Sequence, residues 1–230
     1  MDLAKLSFPS LTHTRENVLA TLAEASARPD ALSLLKLGIS LKDELTRNLR
    51  LGEAPASLVS ELYSGVLYDA LDLKSLDTAG RNRATRWIVI ASALYGALRL
   101  TDKVAPYRLS MGVALPGMPK LAKLWRTPLQ EALTPVAARG VIVDCRSAIY
   151  QTAWPVTAEL AERWVHVRVP GASHQAKHTR GLVARTICAS GIDAKTPIDL
   201  AAQLAGDFDV ELISQARPRQ SWTLDVHRPV

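Results

Sequence analysis

Apolar positions set the rhythm of this chain. In the first third they recur at helical spacing. Thr14 stands as a cap for a helix through Val18, Leu19 and Leu22, and Pro29 ends it. "DALSLLKL" and "SLKDELTRNLRL" read as two short helices, with Gly38 between them and Ser40 as an N-cap for the second. "LVSELYSGVLYDAL" reads as a helix or helix pair broken near Gly65. The texture then changes to short β-branched runs. "RWIVIAS", "GVIVDC" and "RWVHVRV" predict buried strands, the last with one wet face because its apolar residues alternate.

Between and after these runs the helical spacing returns. "LAKLWRTPLQEAL" is helical, with Pro128 expected to mark a start or a kink. "HTRGLVARTICAS" predicts a helix closed by Gly191, and "TPIDLAAQL" one that opens on Thr196 with Pro197 at its first position. "FDVELIS" and "SWTLDV" close the chain as two strands joined by the basic turn "QARPRQ". Strands near 87–91, 141–144, 164–169, 208–213 and 221–226 are expected to share one sheet. The fold class is therefore α/β (α+β): a single compact domain over 1–230, with a central mixed sheet covered by helices and a helical N-terminal third.

Composition narrows the function classes. Hydrophobic residues make up 48% of 230, enough for a real core, and aromatics only 5%, so aliphatic side chains fill it. The net charge of +6 is compatible with a polyanionic partner without requiring one. No apolar run reaches the length of a membrane span, and the opening "MDLAKLSFPSL" lacks the pattern of a signal peptide, so a cytoplasmic protein is expected. Cys145 and Cys188 lie far apart without metal spacing, and Cys145 is expected to be a buried thiol. His174 and His178 could ligate a metal but have no third ligand in view, and no metal or cofactor is expected.

Four segments carry candidate chemistry. "LYGALRLTDKVAPYRLSMG" holds Tyr95, Arg99, Asp102, Tyr107 and Arg108. The arginines suit phosphates or carboxylates, and Asp102 or Tyr107 could move a proton. The same residues could equally form a buried network that pins a long loop. "VDCRSAIYQ" places Ser147 and Tyr150 just past a strand, where open α/β sheets bind ligands. "HQAKHTRGLVAR" opens a helix on Lys177, Arg180 and Arg185 although cations oppose the dipole there, and Lys177 joins the candidates for catalysis. "LLKLGISLKDEL" has the outline of a helix-hairpin-helix, with Gly38 in its turn and Lys36, Lys42, Arg47 and Arg50 nearby for DNA phosphates. Its usual second glycine is replaced by Ser40, and a plain helical turn fits it as well.

Together "YSGVLYDAL", "SALYGALRLTDKVAPYRLSMG", "LW" at 124–125, "DCRSAIY" and "AKHTRGLVAR" resemble, in order and over most of the chain, the YaaA family of peroxide-stress proteins. The resemblance implies one α/β domain with a positively charged polar cleft beside its sheet, and it favours the helix-hairpin-helix reading. It also implies a role in limiting damage by hydrogen peroxide, with double-stranded DNA as the expected partner. An enzyme acting on a small anionic or nucleotide-like molecule in the cleft is the alternative. Haem, flavin and iron–sulfur motifs are absent from the sequence, so any effect on peroxide is expected to be indirect. Family members usually begin with a short strand and a Pro/Ser segment ending in Lys. This sequence opens without one, so the expectation is either that the true start lies upstream of residue 1 or that this form lacks the first strand.

Overall fold

The computed structural model describes residues 2–171 and 175–229. In chain order the helices and strands are α1 (Thr12–Ala27), α2 (Ala31–Leu34), α3 (Asp43–Leu49), β1 (Ser57–Leu58), α4 (Val59–Leu62), α5 (Val66–Leu71) and α6 (Thr78–Trp87). There follow β2 (Ile90–Ser92), β3 (Gly96–Leu98), β4 (Lys103–Val104), α7 (Leu121–Leu133), β5 (Ile142–Asp144) and α8 (Ala148–Gln151). The chain ends with β6 (Trp164–Arg168), α9 (Gln175–Ser190), α10 (Pro197–Leu204), β7 (Phe208–Ile213) and β8 (Trp222–Pro229). The fold is mixed α/β, and its contacts gather into two compact units. The first comprises Met1–Leu62, Ile88–Leu133 and Arg146–Pro155; the second comprises Tyr63–Trp87, Thr134–Cys145 and Val156–Val230.

The first unit is helical with two small antiparallel pairs, β1 with β4 and β2 with β3. Its longest helix, α1, carries Val18, Leu22 and Ala25 inward, all buried, behind the buried Leu11 that precedes it. It stops at Arg28, which is extended because Pro29 follows. Pro128 sits inside α7, which continues past it, so it does not mark the start of the helix. Trp125 of α7 is fully buried and donates from Nε1 to the Ala93 carbonyl at 2.9 Å. Its ring closes over Gly96, where a Cβ would stand 2.6 Å from it and where φ is +73°. Only glycine meets both conditions.

That turn corrects the sheet read from the sequence. The run 87–91 does not join a five-stranded sheet. Trp87 ends α6, and Ile90–Ser92 doubles back on Gly96–Leu98. Ser92 Oγ accepts the Tyr95 N–H at 2.9 Å and so folds the chain tightly within a few residues.

The second unit holds the other four strands in the order β5-β6-β8-β7. β5, β6 and β8 run parallel, and β7 is antiparallel to β8. One face packs Val165, Val167, Leu224 and Val226 against Val183 of α9 and Leu200 and Leu204 of α10. The alternation of "RWVHVRV" holds only towards its end: on the face opposite Val165 and Val167, Trp164 is fully buried, His166 half-buried and Arg168 exposed. Arg168 there forms a fork with Asp225 of the neighbouring strand, at 2.5 Å to each oxygen. Thr196 caps α10 through the Asp199 N–H, Pro197 takes its first position, and Gly191 closes α9 at φ +71°, as the sequence predicts.

The backbone of α9 meets the backbone of α5 at Gly181, where a Cβ would lie 2.2 Å from the Leu67 carbonyl oxygen and 2.8 Å from Ala70 Cβ. A backbone oxygen cannot rotate aside, so the helices would have to separate. Gly181→Ala should therefore cost at least ~2 kcal/mol of stability in urea unfolding. Gly206→Ala, which meets nothing within 4 Å, should cost under ~1 kcal/mol. Equal losses at the two positions would refute the close approach.

Candidate functional site

The polar stretch 94–112 divides into an inward and an outward half. Tyr95 is fully buried, its hydroxyl donating to the Ala105 carbonyl at 3.2 Å. Burial raises its phenol far above the ordinary value. Asp102 is buried and accepts at Oδ1 from Ser7 N (2.9 Å) and Ser7 Oγ (2.8 Å), and at Oδ2 from Arg99 N (2.8 Å). Arg99 lies over the Phe8 ring at 5.6 Å and donates to the Ile88 carbonyl at 3.3 Å; burial lowers its guanidinium, with Asp102 opposing. These three residues pin the loop.

The buried cation of this network is one that sequence reading missed. Arg15 of α1 is fully buried and donates to the carbonyls of Tyr95 (2.9 Å), Ser7 (2.7 Å) and Ala97 (2.9 Å). Burial pulls its guanidinium down to about 10, with Asp102 pulling it back up, so it is charged at neutral pH. Its signal was present: Arg15 stands on the apolar stripe of Leu11, Val18 and Leu22, where a polar residue needs a buried partner.

The outward half begins at Tyr107. Its hydroxyl bonds Ser92 Oγ at 2.7 Å, and its ring meets Tyr95 edge-on at 5.3 Å. Arg108 is exposed, while its backbone is held on both sides by Asn48, a buried residue that the sequence reading also passed over. The segment 146–151 packs here too, since Ile149 lies 3.8 Å from the Cβ position of Gly112. Arg146 shapes that segment by donating to the carbonyls of Tyr150 (3.2 Å) and Trp154 (2.9 Å). Tyr150 is half-buried. Burial raises its phenol, and a Met111 backbone bond and the charge of Arg108 pull the other way. Ser147 is exposed and precedes α8 without capping it. Within the first unit the structure thus brings Arg108, Tyr150 and Ser147 to one region.

The segment 34–50 does not confirm a helix-hairpin-helix. α2 is a single turn, Lys36 takes φ +56°, Gly38 is extended, and a 3-10 turn at Ile39–Leu41 leads into α3. Ile39 is 77% exposed, so the apolar residue of the turn does not lock two helices together. Lys36, Lys42, Arg47 and Arg50 are all exposed. Lys36 Nζ donates to the Gly112 carbonyl at 3.1 Å, and Arg47 pairs with Glu44 at 2.8 Å. Asp43, Arg47, Arg50 and Glu53 line an open groove of about 450 Å³.

Lys177, Arg180 and Arg185 belong to the second unit. Lys177 is exposed, whereas Arg180 donates to the Val167 carbonyl at 2.9 Å and so ties α9 to β6. Arg185 donates to the Leu71 and Asp72 carbonyls at 3.2 and 2.8 Å and closes the end of α5. His174 lies outside the described residues. Among the described residues no group of three or more His, Cys, Asp or Glu could hold a metal, and no helix is long and apolar enough to cross a membrane.

These features define a mixed α/β protein that holds one set of arginines inward as fasteners and leaves another set on its surface. A family model described as peroxide stress protein YaaA matches residues 2–211. A UPF0246 protein of Streptomyces coelicolor is 41% identical over 235 residues, 98% of this chain and 90% of its own. One from Corynebacterium efficiens is 37% identical over 87% of this chain and 82% of its own, and one from Corynebacterium glutamicum 35% identical over 97% and 91%. The chain belongs to the YaaA family of peroxide stress proteins.

For such a protein the thiols matter, because thiolate is the form that attacks peroxide. Cys145 packs against the core of the second unit, and burial pushes its thiol up to about 12; Cys188, buried on α9, is pushed up to about 11. Both are protonated at neutral pH. The native thiols should therefore react with iodoacetamide at pH 7.5 at least ~100-fold more slowly than those of the unfolded chain, by mass spectrometry. A raised folded-state value means that folding favours the protonated thiol. This stabilisation is complete below the ordinary value of 9.0 and is lost as pH rises towards 11–12. The melting temperature should fall across that window. A Cys145→Ala, Cys188→Ala double variant should show a shallower fall.

Proposed function

We propose that this peroxide-stress family member binds double-stranded DNA through its phosphates, with the segment 36–50 of the first unit as the contact surface. The observation that carries this reading is the state of Lys42 and Arg50. Both are exposed, and neither side chain has a hydrogen bond or ion pair among the described residues. Lys36 of the same segment has its ammonium on the neutral Gly112 carbonyl, which leaves its charge uncompensated. Arg47 is a weaker contributor because Glu44 already neutralises it. Contact is by side-chain charge rather than by a cradle of hairpin amides, since the turn is not built as a helix-hairpin-helix. Such binding is independent of sequence and strongly dependent on salt. A bound duplex is also consistent with protonated thiols, because the protein then acts on peroxide damage without reacting with peroxide through cysteine.

The test is a salt titration of duplex affinity. Each phosphate neutralised contributes roughly −0.9 to the slope of log K against log salt. Lys42→Ala with Arg50→Ala should weaken binding to every duplex sequence and flatten that slope by about 2 units. Arg47→Ala should change it by less than about 1. An unchanged slope in the Lys42, Arg50 double variant would remove the physical basis of this reading.

A further inference from the structure

Asn48 is fully buried on α3, yet the residue it holds is exposed. Its Oδ1 accepts the Arg108 N–H at 2.8 Å, and its Nδ2 donates to the Arg108 carbonyl at 2.9 Å and to Ser26 Oγ at 3.3 Å. A side-chain amide carries one acceptor oxygen and two N–H donors, so both donors and the oxygen are engaged. Two of these three bonds fix the backbone of a single surface arginine. The Arg108 guanidinium itself has no hydrogen bond or ion pair among the described residues. Fixing the backbone beneath it reduces the freedom that it loses on binding a ligand.

A second donor stands beside it. Ile149 against Gly112 brings Tyr150 next to the Met111 backbone, within reach of the Arg108 charge. Ser147 precedes α8 in extended conformation, with its hydroxyl unused as a cap.

We infer that Arg108 and Tyr150 form a pre-organised site for one oxyanion, best matched by a phosphate group, and that Asn48 is the positioning residue that aims Arg108. The planar guanidinium fork matches two phosphate oxygens, and the phenol donates to a third. The raised phenol keeps its proton at neutral pH and so stays a donor. This site shares no residue with Lys42 and Arg50 and does not rest on the DNA reading. Its phosphate can come from a free monoester or from a nucleic-acid backbone, and the experiment separates the two.

The full chain is titrated with inorganic phosphate at constant ionic strength and followed by calorimetry. A single saturable site is expected. Arg108→Ala should weaken it at least ~30-fold and Tyr150→Phe ~10-fold, through loss of charge-assisted bonds. Asn48→Ala should weaken phosphate binding in the wild-type background but not further in Arg108→Ala, although it lowers the melting temperature in both. That non-additivity separates positioning from a merely structural role. If inorganic phosphate does not bind but both Arg108→Ala and Tyr150→Phe weaken duplex DNA, the ligand is a backbone phosphodiester and the site stands. Wild-type phosphate and duplex affinities in both variants would overturn it. Equal phosphate losses from Asn48→Ala with and without Arg108 would overturn the positioning role. Failure of the DNA reading is seen separately, in the Lys42, Arg50 slope.

Discussion

The first unit depends on a buried guanidinium. Arg15 gathers three carbonyls, from Ser7, Tyr95 and Ala97, while Asp102 gathers the amide and hydroxyl of Ser7 and the amide of Arg99. Cation and carboxylate thus hold the same two pieces of chain, the start of the sequence and the β2–β3 hairpin, from opposite signs of charge. Moving either charge from water into this interior is unfavourable unless its hydrogen-bonding capacity is met locally. The chain meets most of it with backbone groups that the tight turn would otherwise leave unbonded. Removing either side chain would leave the buried backbone groups that it gathers without their partners.

The same device recurs in the second unit and changes the meaning of the net charge. Arg83 donates to the Cys188 and Ala189 carbonyls at the end of α9, Arg163 to the Gly140 and Ala137 carbonyls, and Arg185 to the end of α5. A cation at a helix C-terminus satisfies orphan carbonyls and the dipole together. Much of the basic character therefore serves the fold. A charge of +6 by itself says little about affinity for a polyanion; the arginines and lysines without such duties say more.

Arg108 is the point where folding and presentation meet. Its backbone is committed to Asn48, and its side chain is left in solvent. Tyr107, one residue earlier, turns back to Ser92 and the Tyr95 ring, so direction reverses within two residues of the same loop. The two readings of the stretch 94–112, a pinned loop and a polar site, describe its two halves.

The sequence alone determined the elements whose signals are local. Pro29 stops α1, Gly65 separates α4 from α5, Thr196 and Pro197 open α10, and Gly191 closes α9, because each acts through its own φ, ψ and cap. β-branched runs marked four strands of one sheet for the same reason. Arg15 on an apolar stripe, and Asn48 in the phase of Leu41 and Leu45, were also legible as buried polar groups, though not what they would bind. Tertiary structure decided the rest. Only packing of Trp125 over Gly96 and the Ser92 turn could show that 90–92 pairs with 96–98 and not with the main sheet. Only three-dimensional contact could sort Arg99, Arg180 and Arg185, which bind carbonyls, from Arg108, which does not. Residue type fixes that an arginine carries five donors; which acceptors lie within reach of them is a property of the folded chain.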